Sequence, residues 1–442
     1  VVQSDFLVIG ETNIARRVCA ALADRGDQVV HLAEPGDDQL RKTLRHGDFA
    51  VAVVTHDDVV ALRYALAVAH IAPRARLVVT IFDRTIGEQL RRLLPGCEVT
   101  SPAELAAPSL AGPCLRAEYL AVKLSPTGPL ALVGGDGAMR WRPAHIERTS
   151  WVNEQIGSVR GVLHDAGTKI MVMGLSGLLA VIVVGWAWTA LAGHPVTESL
   201  EESVQVVTAG AASYLTNDGY AIFASLAMFA AIFLTAMVTA GLVERLLGPR
   251  LLDFFGARAL PRSGHVVVVG LGQVGLRLCL ELKALRVPVV AVERDAHARN
   301  LRLVRDLRIP TIVGDGADRH TLDRVSLGRA RALAAVGSDD RDNIAVAIAA
   351  QAVHAGIDLV LRAGEQEALA ETRSLLALGT TLDVTVLSAA YVCARLLDLP
   401  ATGVVMSEAQ LYLDCAAGQF VRFSPSERDG CAHIATVKAQ RP

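Results

Sequence analysis

A chain of 442 residues has room for two or three domains, and an apolar share of 52% is more than soluble domains of that size need. The formal net charge of -2 carries no basic excess, which excludes nucleic acid as the partner. Seven scattered cysteines, none in a CxxC or Cys/His zinc spacing, exclude a disulfide framework and leave no metal site.

The chain opens on "VVQSDFLVIG", which reads as a first strand and lacks the basic n-region of a signal peptide. "DFLVIGETNIARRVCAALADRGDQVVHLAE" then gives strand, turn, helix and strand, with Gly10 at the turn and Glu34 closing the second strand. Further on, "AVAVVTHDDVVALRYALAVA" gives a strand and a helix opened by Asp57 and Asp58. Residues 1–115 are predicted to be a Rossmann-like α/β half, followed by a small β-rich segment, 116–150, and a charged cytoplasmic lead-in, 151–169.

Residues 170–245 hold two uncharged runs, "IMVMGLSGLLAVIVVGWAWTALAG" and "AIFASLAMFAAIFLTAMVTAGLV". The first, as a helix, is about 36 Å long, enough for a hydrocarbon core of about 30 Å; the second is also long enough. No Lys or Arg lies between Lys169 and Arg245, whereas Arg148, Arg160, Arg250, Arg258 and Arg262 flank the pair. The positive-inside rule therefore puts both termini in the cytoplasm, beneath an inner (plasma) membrane, with the acidic linker outside. That linker, residues 194–220, is longer than a hairpin needs. Thr197 or Ser199 can cap a short helix, Ser199 with Glu202 fitting a capping box, and a run of small residues follows.

Span, short helix, small-residue loop and span is the order of a two-helix potassium-channel pore domain, which this region resembles. The resemblance implies that Thr208, Ala209, Gly210, Ala211 and Ala212 form the pore loop. Thr208 and Gly210 match the TVGYG filter pattern; Ala211 replaces its aromatic and Ala212 its second glycine. These residues do not support potassium selectivity and are compatible with a wider path for monovalent cations. Gly241, near the cytoplasmic end of the second span, is a hinge candidate.

Beyond the linker 246–263, "GHVVVVGLGQVGLRLCLELKALRVPVVAVERD" places GxGxxG between a buried strand and a helix, with an acid ending the next strand. Gly270, Gly272 and Gly275 make the turn, and Gln273, Val274 and Gly275 begin the helix whose N–H groups face a phosphate. Glu293 can accept hydrogen bonds from ribose hydroxyls, and Arg294 follows it directly. With "GDG" at 314–316 and "SDDRDN" at 338–343, residues 264–395 resemble the RCK domain, the NAD-binding regulatory domain of Trk-type potassium uptake systems and potassium channels. The resemblance implies Asp315 near the adenosine, Asn343 within the ligand-binding motif, NAD(H) or an adenine nucleotide (ADP or ATP) as effector, and a dimer as building unit. Residues 396–442 are a short β-like segment.

Set against this domain, residues 1–115 are a degenerate copy. Thr12 and Ala15 replace the second and third glycines, Glu34 falls where Glu293 is, Ala61 replaces Asn343, and about one β-α unit is missing. The fold class expected is thus two α/β Rossmann-like domains flanking a two-helix all-α transmembrane domain. The function expected is a cation channel subunit, a homotetramer among membrane lipid, gated by nucleotide and without catalytic residues. The alternative is a non-conducting, membrane-anchored nucleotide sensor or regulatory subunit for another membrane protein; an NAD(P)-dependent membrane oxidoreductase is disfavoured, since no acid/base constellation and no large substrate domain accompany the Rossmann core.

Overall fold

The computed structural model describes residues 5–45, 49–135, 138–146, 166–208, 218–247, 261, 263–364, 379–407, 410–415 and 418–426. The chain divides into two units, one made of Val1–Thr149 with Pro261–Pro442, the other of Ser150–Leu260.

The first α/β copy is a five-stranded parallel sheet in the order β2-β1-β3-β4-β5. Its elements are β1 (Asp5–Ile9), α1 (Asn13–Asp24), β2 (Gln28–Leu32), α2 (Asp37–Leu44), β3 (Phe49–Val53), α3 (Asp58–Ile71), β4 (Leu77–Thr80), α4 (Arg84–Leu93), β5 (Cys97–Thr100) and α5 (Pro102–Leu115). Leu7, Val8, Ile9, Val51, Ala52 and Val53 are fully buried, as an unbroken apolar run in a sheet covered on both faces requires. Three strands then form an antiparallel meander: β6 (Tyr119–Ser125), β7 (Gly128–Gly135) and β8 (Ala138–Pro143).

In the second unit, α6 (Ala166–Leu191) and α8 (Asp218–Leu247) carry stretches long and apolar enough to cross a membrane, Ile170–Leu191 and Gly219–Val243. Only 11% and 17% of their most apolar windows are buried, so neither is the core helix of a soluble domain. They pack closely: a methyl on Gly174 would stand 2.8 Å from the carbonyl oxygen of Leu234, and one on Gly177 2.6 Å from that leucine's Cδ2. Between them lies α7 (Val196–Thr208). It begins upstream of both expected caps: Ser199 N–H already donates to Pro195 C=O, and the Ser199 side chain is buried in the bundle. Thr197 and Ser199 are therefore interior residues, and the capping-box expectation is corrected. Trp188 stacks on Phe223 at 5.6 Å and meets Tyr220 edge-on, closing the same end of the bundle.

The second copy is six-stranded, in the order β11-β10-β9-β12-β13-β14, again all parallel. It comprises β9 (Val266–Val269), α9 (Gln273–Ala284), β10 (Val289–Glu293), α10 (Arg299–Asp306), β11 (Thr311–Val313), α11 (Arg319–Arg324), a 3-10 turn (Leu327–Arg329), β12 (Ala332–Ala335), α12 (Asp340–Val353), β13 (Asp358–Ala363), β14 (Thr380–Asp383) and α13 (Val384–Leu396). Among the described residues, strand β11 with α11, the unit holding "GDG", has no counterpart in the first copy. A second meander follows: β15 (Ala401–Ser407), β16 (Gln410–Cys415) and β17 (Gln419–Phe423).

Each copy's last helix leaves its own sheet. Helix α5 packs on α9, β12, β13 and β14 of the second copy, whereas α13 packs on α1, β3 and β4 of the first. Both are apolar nearly all round, the mark of a fully buried helix. One hydrophobic core consequently runs through both copies, from Phe6 to Phe423. A half-buried polar cluster joins them as well. Glu98 on β5 takes a hydrogen bond from the Tyr391 hydroxyl at 2.9 Å and an ion pair from Arg395 at 3.0 Å, both on α13. Burial, helped by the Glu98 carboxylate, raises the Tyr391 hydroxyl well above its ordinary range. The meanders meet through Trp141 and Phe420, with Lys123 Nζ 3.9 Å from the Trp141 ring centroid and 3.4 Å from Asp414.

Candidate nucleotide-binding site

The three glycines between β9 and α9 serve three different needs. Gly270 turns the chain at φ 93°, and a methyl there would stand 2.8 Å from Gly337 Cα. Gly275 lies against the turn itself: a methyl would come 1.9 Å from Gly270 O. Gly272 has open space, with no described heavy atom within 4 Å of where a Cβ would be. It is the N-cap of α9, and no side chain hydrogen-bonds there. The first-turn N–H groups of Gln273, Val274 and Gly275 thus end in an uncapped, positive helix terminus below an open approach. Val274 is buried and offers its main chain; Gln273 is half-buried.

Beside the turn, Glu293 closes β10. Its Oε2 accepts from Leu271 N–H at 2.7 Å and its Oε1 from Asp295 N–H at 3.1 Å. Asn300 on α10 donates to Leu271 C=O at 2.9 Å. The Leu271 peptide is therefore gripped on both sides, and the carboxylate is held at the strand end where a ribose would sit. Asn300 escaped the sequence reading; an asparagine within the basic stretch "RNLRLVRD" gives no local sign of reaching back across the turn. Arg294 is exposed and pairs with Asp342 at 3.3 Å. Asp315 is exposed in the loop after β11, its carboxylate accepting from Ala317 N–H at 2.9 Å. Next to it, Gly316 lets that loop lie against β9, since a methyl would meet Val269 Cγ1 at 2.3 Å. Asp318, capping α11, is held below the ordinary carboxylate range chiefly by Thr321 N–H.

Asn343 is placed differently from the ligand-facing role its motif implied. It is 2% exposed, its Oδ1 accepts from Gly337 N–H at 2.8 Å, and its Nδ2 donates to Gly337 C=O at 3.1 Å and Arg362 C=O at 3.0 Å. It positions Gly337, on which Gly270 rests, and presents no free amide to the cleft. In the second unit, Thr208 ends α7 with its hydroxyl donating to Val204 C=O at 2.8 Å. Ala209, Gly210, Ala211 and Ala212 lie outside the described residues. Gly241 is buried within α8, which continues through it as a helix.

In the first copy the same turn is occupied by its own side chain. Thr12 Oγ1 accepts from Ala15 N–H and donates to Val54 C=O, both at 3.1 Å, and Thr12 is 5% exposed. The strand register also corrects one alignment. Ile9 pairs with Leu32 as Val269 pairs with Val292, so Ala33 stands at the place of Glu293, and the exposed Glu34 lies one residue beyond.

An uncapped helix behind a glycine turn, with an anchored acid at the next strand end, is the arrangement of a Rossmann-type domain. Residues 266–381 match the TrkA-N domain family, and this part of the chain is a TrkA-N (RCK) domain. Over 107 residues, 24% of this chain, the sequence is 25% identical to Potassium channel protein 1 of Methanocaldococcus jannaschii, and the match spans 32% of that protein. Among solved structures, the GsuK RCK domain is similar with a TM-score of 0.49 at 15% identity, covering 90% of this chain and 77% of that one. The GsuK channel bound to NAD is similar with a TM-score of 0.48 at 16% identity, covering 90% and 64%.

Proposed function

We propose that this chain is the subunit of a cation channel gated by NAD(H) or an adenine nucleotide bound to its second α/β copy. The observation that carries the reading is the open, uncapped approach at Gly272 beside the anchored Glu293, in a chain that also holds two membrane-length helices flanking α7. Gly270, Gly272, Gln273, Val274 and Gly275 would supply the phosphate cradle, Glu293 the ribose contact, and Arg294 and Asp315 the rim on either side. The bound nucleotide brings no chemistry to be catalysed, so no enzymatic activity is proposed. In sequence, residues 248–263 join the end of α8 to the TrkA-N domain, giving a covalent route from ligand to span. The similarity to a potassium channel protein supports a channel, and the departure of Ala211 and Ala212 from the filter pattern supports a path less selective than one for potassium. The reading includes four subunits in an inner membrane with both termini cytoplasmic. Self-association is supported by Leu66 on α3 and Ile348 on α12, which stand at equivalent helix positions and are 41% and 49% exposed.

Flux of K⁺, Na⁺ and larger cations from proteoliposomes, measured with and without NAD(H), ADP or ATP, tests this. The expected result is nucleotide-dependent flux with weak discrimination among monovalent cations. A folded oligomer that binds nucleotide and conducts under no condition overturns the channel. The same two alanines favour one second reading, a non-conducting nucleotide sensor anchored at the membrane, for which a dimer without a central path is expected in particle images.

A further inference from the structure

An open cavity of about 460 Å³ lies at the far end of α9 from the glycine turn. Three segments enclose it: the turn between β6 and β7, residues 144–146 after β8, and the exit of α9. Leu124, Pro129, Ile146 and Leu285 supply apolar walls; His145 and Arg286 supply the polar ones. The volume lies in the range of small-molecule sites, and the lining sets polar surface beside apolar surface in about equal measure. Leu124 is 54% exposed at its rim, an apolar side chain left without cover. On the same domain, Arg277 pairs with Glu104 and Arg294 with Asp342. Arg286 forms no salt bridge with any described residue. A guanidinium beside apolar walls is the setting in which a carboxylate is bound through two parallel hydrogen bonds.

We propose that this cavity is a ligand site separate from the glycine turn, taking a small organic carboxylate with an apolar body. Arg286 receives the carboxylate, His145 adds a ring N–H, and the four apolar residues enclose the body. The site touches two mechanical elements. Helix α9, roughly 18 Å long, ties the cavity to the phosphate cradle at Gly272. Residues 144–146 are the last described part of the first meander, from which the chain leads towards α6. The inference does not depend on the nucleotide reading.

A clean variant is available. Arg286 sits in the left-handed region at φ 60°, one residue past the α9 C-cap, and the equivalent turn of the first copy uses Gly26 at φ 76°. Arg286→Gly therefore removes the guanidinium from a backbone that glycine suits better. Saturation-transfer NMR on the detergent-purified full chain would use 4-phenylbutyrate and its neutral amide as probes, with NADH fluorescence read in the same samples. Phenylbutyrate is expected to bind the wild type at least tenfold more tightly than the amide. Arg286→Gly is expected to abolish that preference, and Ala284→Trp, which fills the cavity from an exposed helix position, to abolish binding of both probes. NADH binding is expected to be unchanged in both variants, so failure at either site is seen separately. No phenylbutyrate binding to the wild type, equal binding of acid and amide, or binding unaffected by Arg286→Gly overturns the proposal.

Discussion

Gly10 and Gly270 turn the chain in the same way. Both have positive φ, 130° and 93°, and both donate their N–H to the last paired carbonyl of the neighbouring strand, Leu32 and Val292. Two residues later the copies part. Thr12 and Gly272 are both N-caps in extended backbone, at φ −66° and −63°. Thr12 closes its own helix with its hydroxyl, whereas Gly272 leaves α9 open. The acid differs as well, with Glu293 anchored in one copy and Ala33 at the same register position in the other. A Rossmann sheet thus tolerates a changed glycine turn, because the sheet is held by buried apolar strands and the turn's chemistry is set by two or three residues at their ends. Here the first copy has a further use for its fold, since its α5 and α13's seat on α1 bury the core that both copies share.

Two substitutions separate the parts of this comparison. The larger effect is expected from Gly275→Val. Its Cβ would fall 1.9 Å from Gly270 O, so the turn must open and α9, which packs on α5, must shift. A loss of roughly 2–3 kcal/mol is expected in thermal or denaturant unfolding of the full chain, together with loss of nucleotide binding. Next comes Gly272→Thr, which copies Thr12 into the second domain. The backbone at 272 already matches that at 12, so threonine fits without strain and caps α9. Nucleotide affinity, read by calorimetry, is expected to fall at least about tenfold, while stability stays level or rises by up to about 1 kcal/mol. Retained affinity in a well-capped variant would mean that phosphate does not approach over Gly272.

Much of this was legible in residue types. A parallel strand buried on both faces must be apolar throughout, and a phosphate approach needs a missing Cβ; both are written locally in "VVVVGLGQVG". The two long apolar helices were legible for the same reason, since each is written as an uncharged run of membrane length. What escaped was non-local. The run "DQVVHLAE" is apolar enough to fix a strand but not to fix its register by one residue, so Glu34 was set where Ala33 stands. Ser199 carries a capping signal, yet Pro195 starts the helix a turn earlier and packing buries the serine. Asn343 ends the run "SDDRDN", and nothing in that run says that its amide turns to Gly337 and Arg362. The apolar faces of α5 and α13 announced burial, but not that each would be buried on the other copy.

The smallest effect is expected at Thr12 itself. Thr12→Ala removes the acceptor of Ala15 N–H and the donor to the buried Val54 carbonyl, a cost of about 1 kcal/mol in unfolding. Nucleotide stoichiometry is expected to remain one per chain, because opening the helix terminus restores only one of three missing parts. The second part can be restored by Thr12→Gly with Ala33→Glu, which rebuilds both the open cap and the ribose acid. One nucleotide per chain is expected even then. In the second copy the cleft has a further wall, the loop after β11, where Gly316 lies against β9 beside the exposed Asp315, and among the described residues the first copy has no strand to carry such a loop. Two nucleotides per chain in the double variant would show that this wall is dispensable and that ligand loss rests on Thr12 and Ala33 alone.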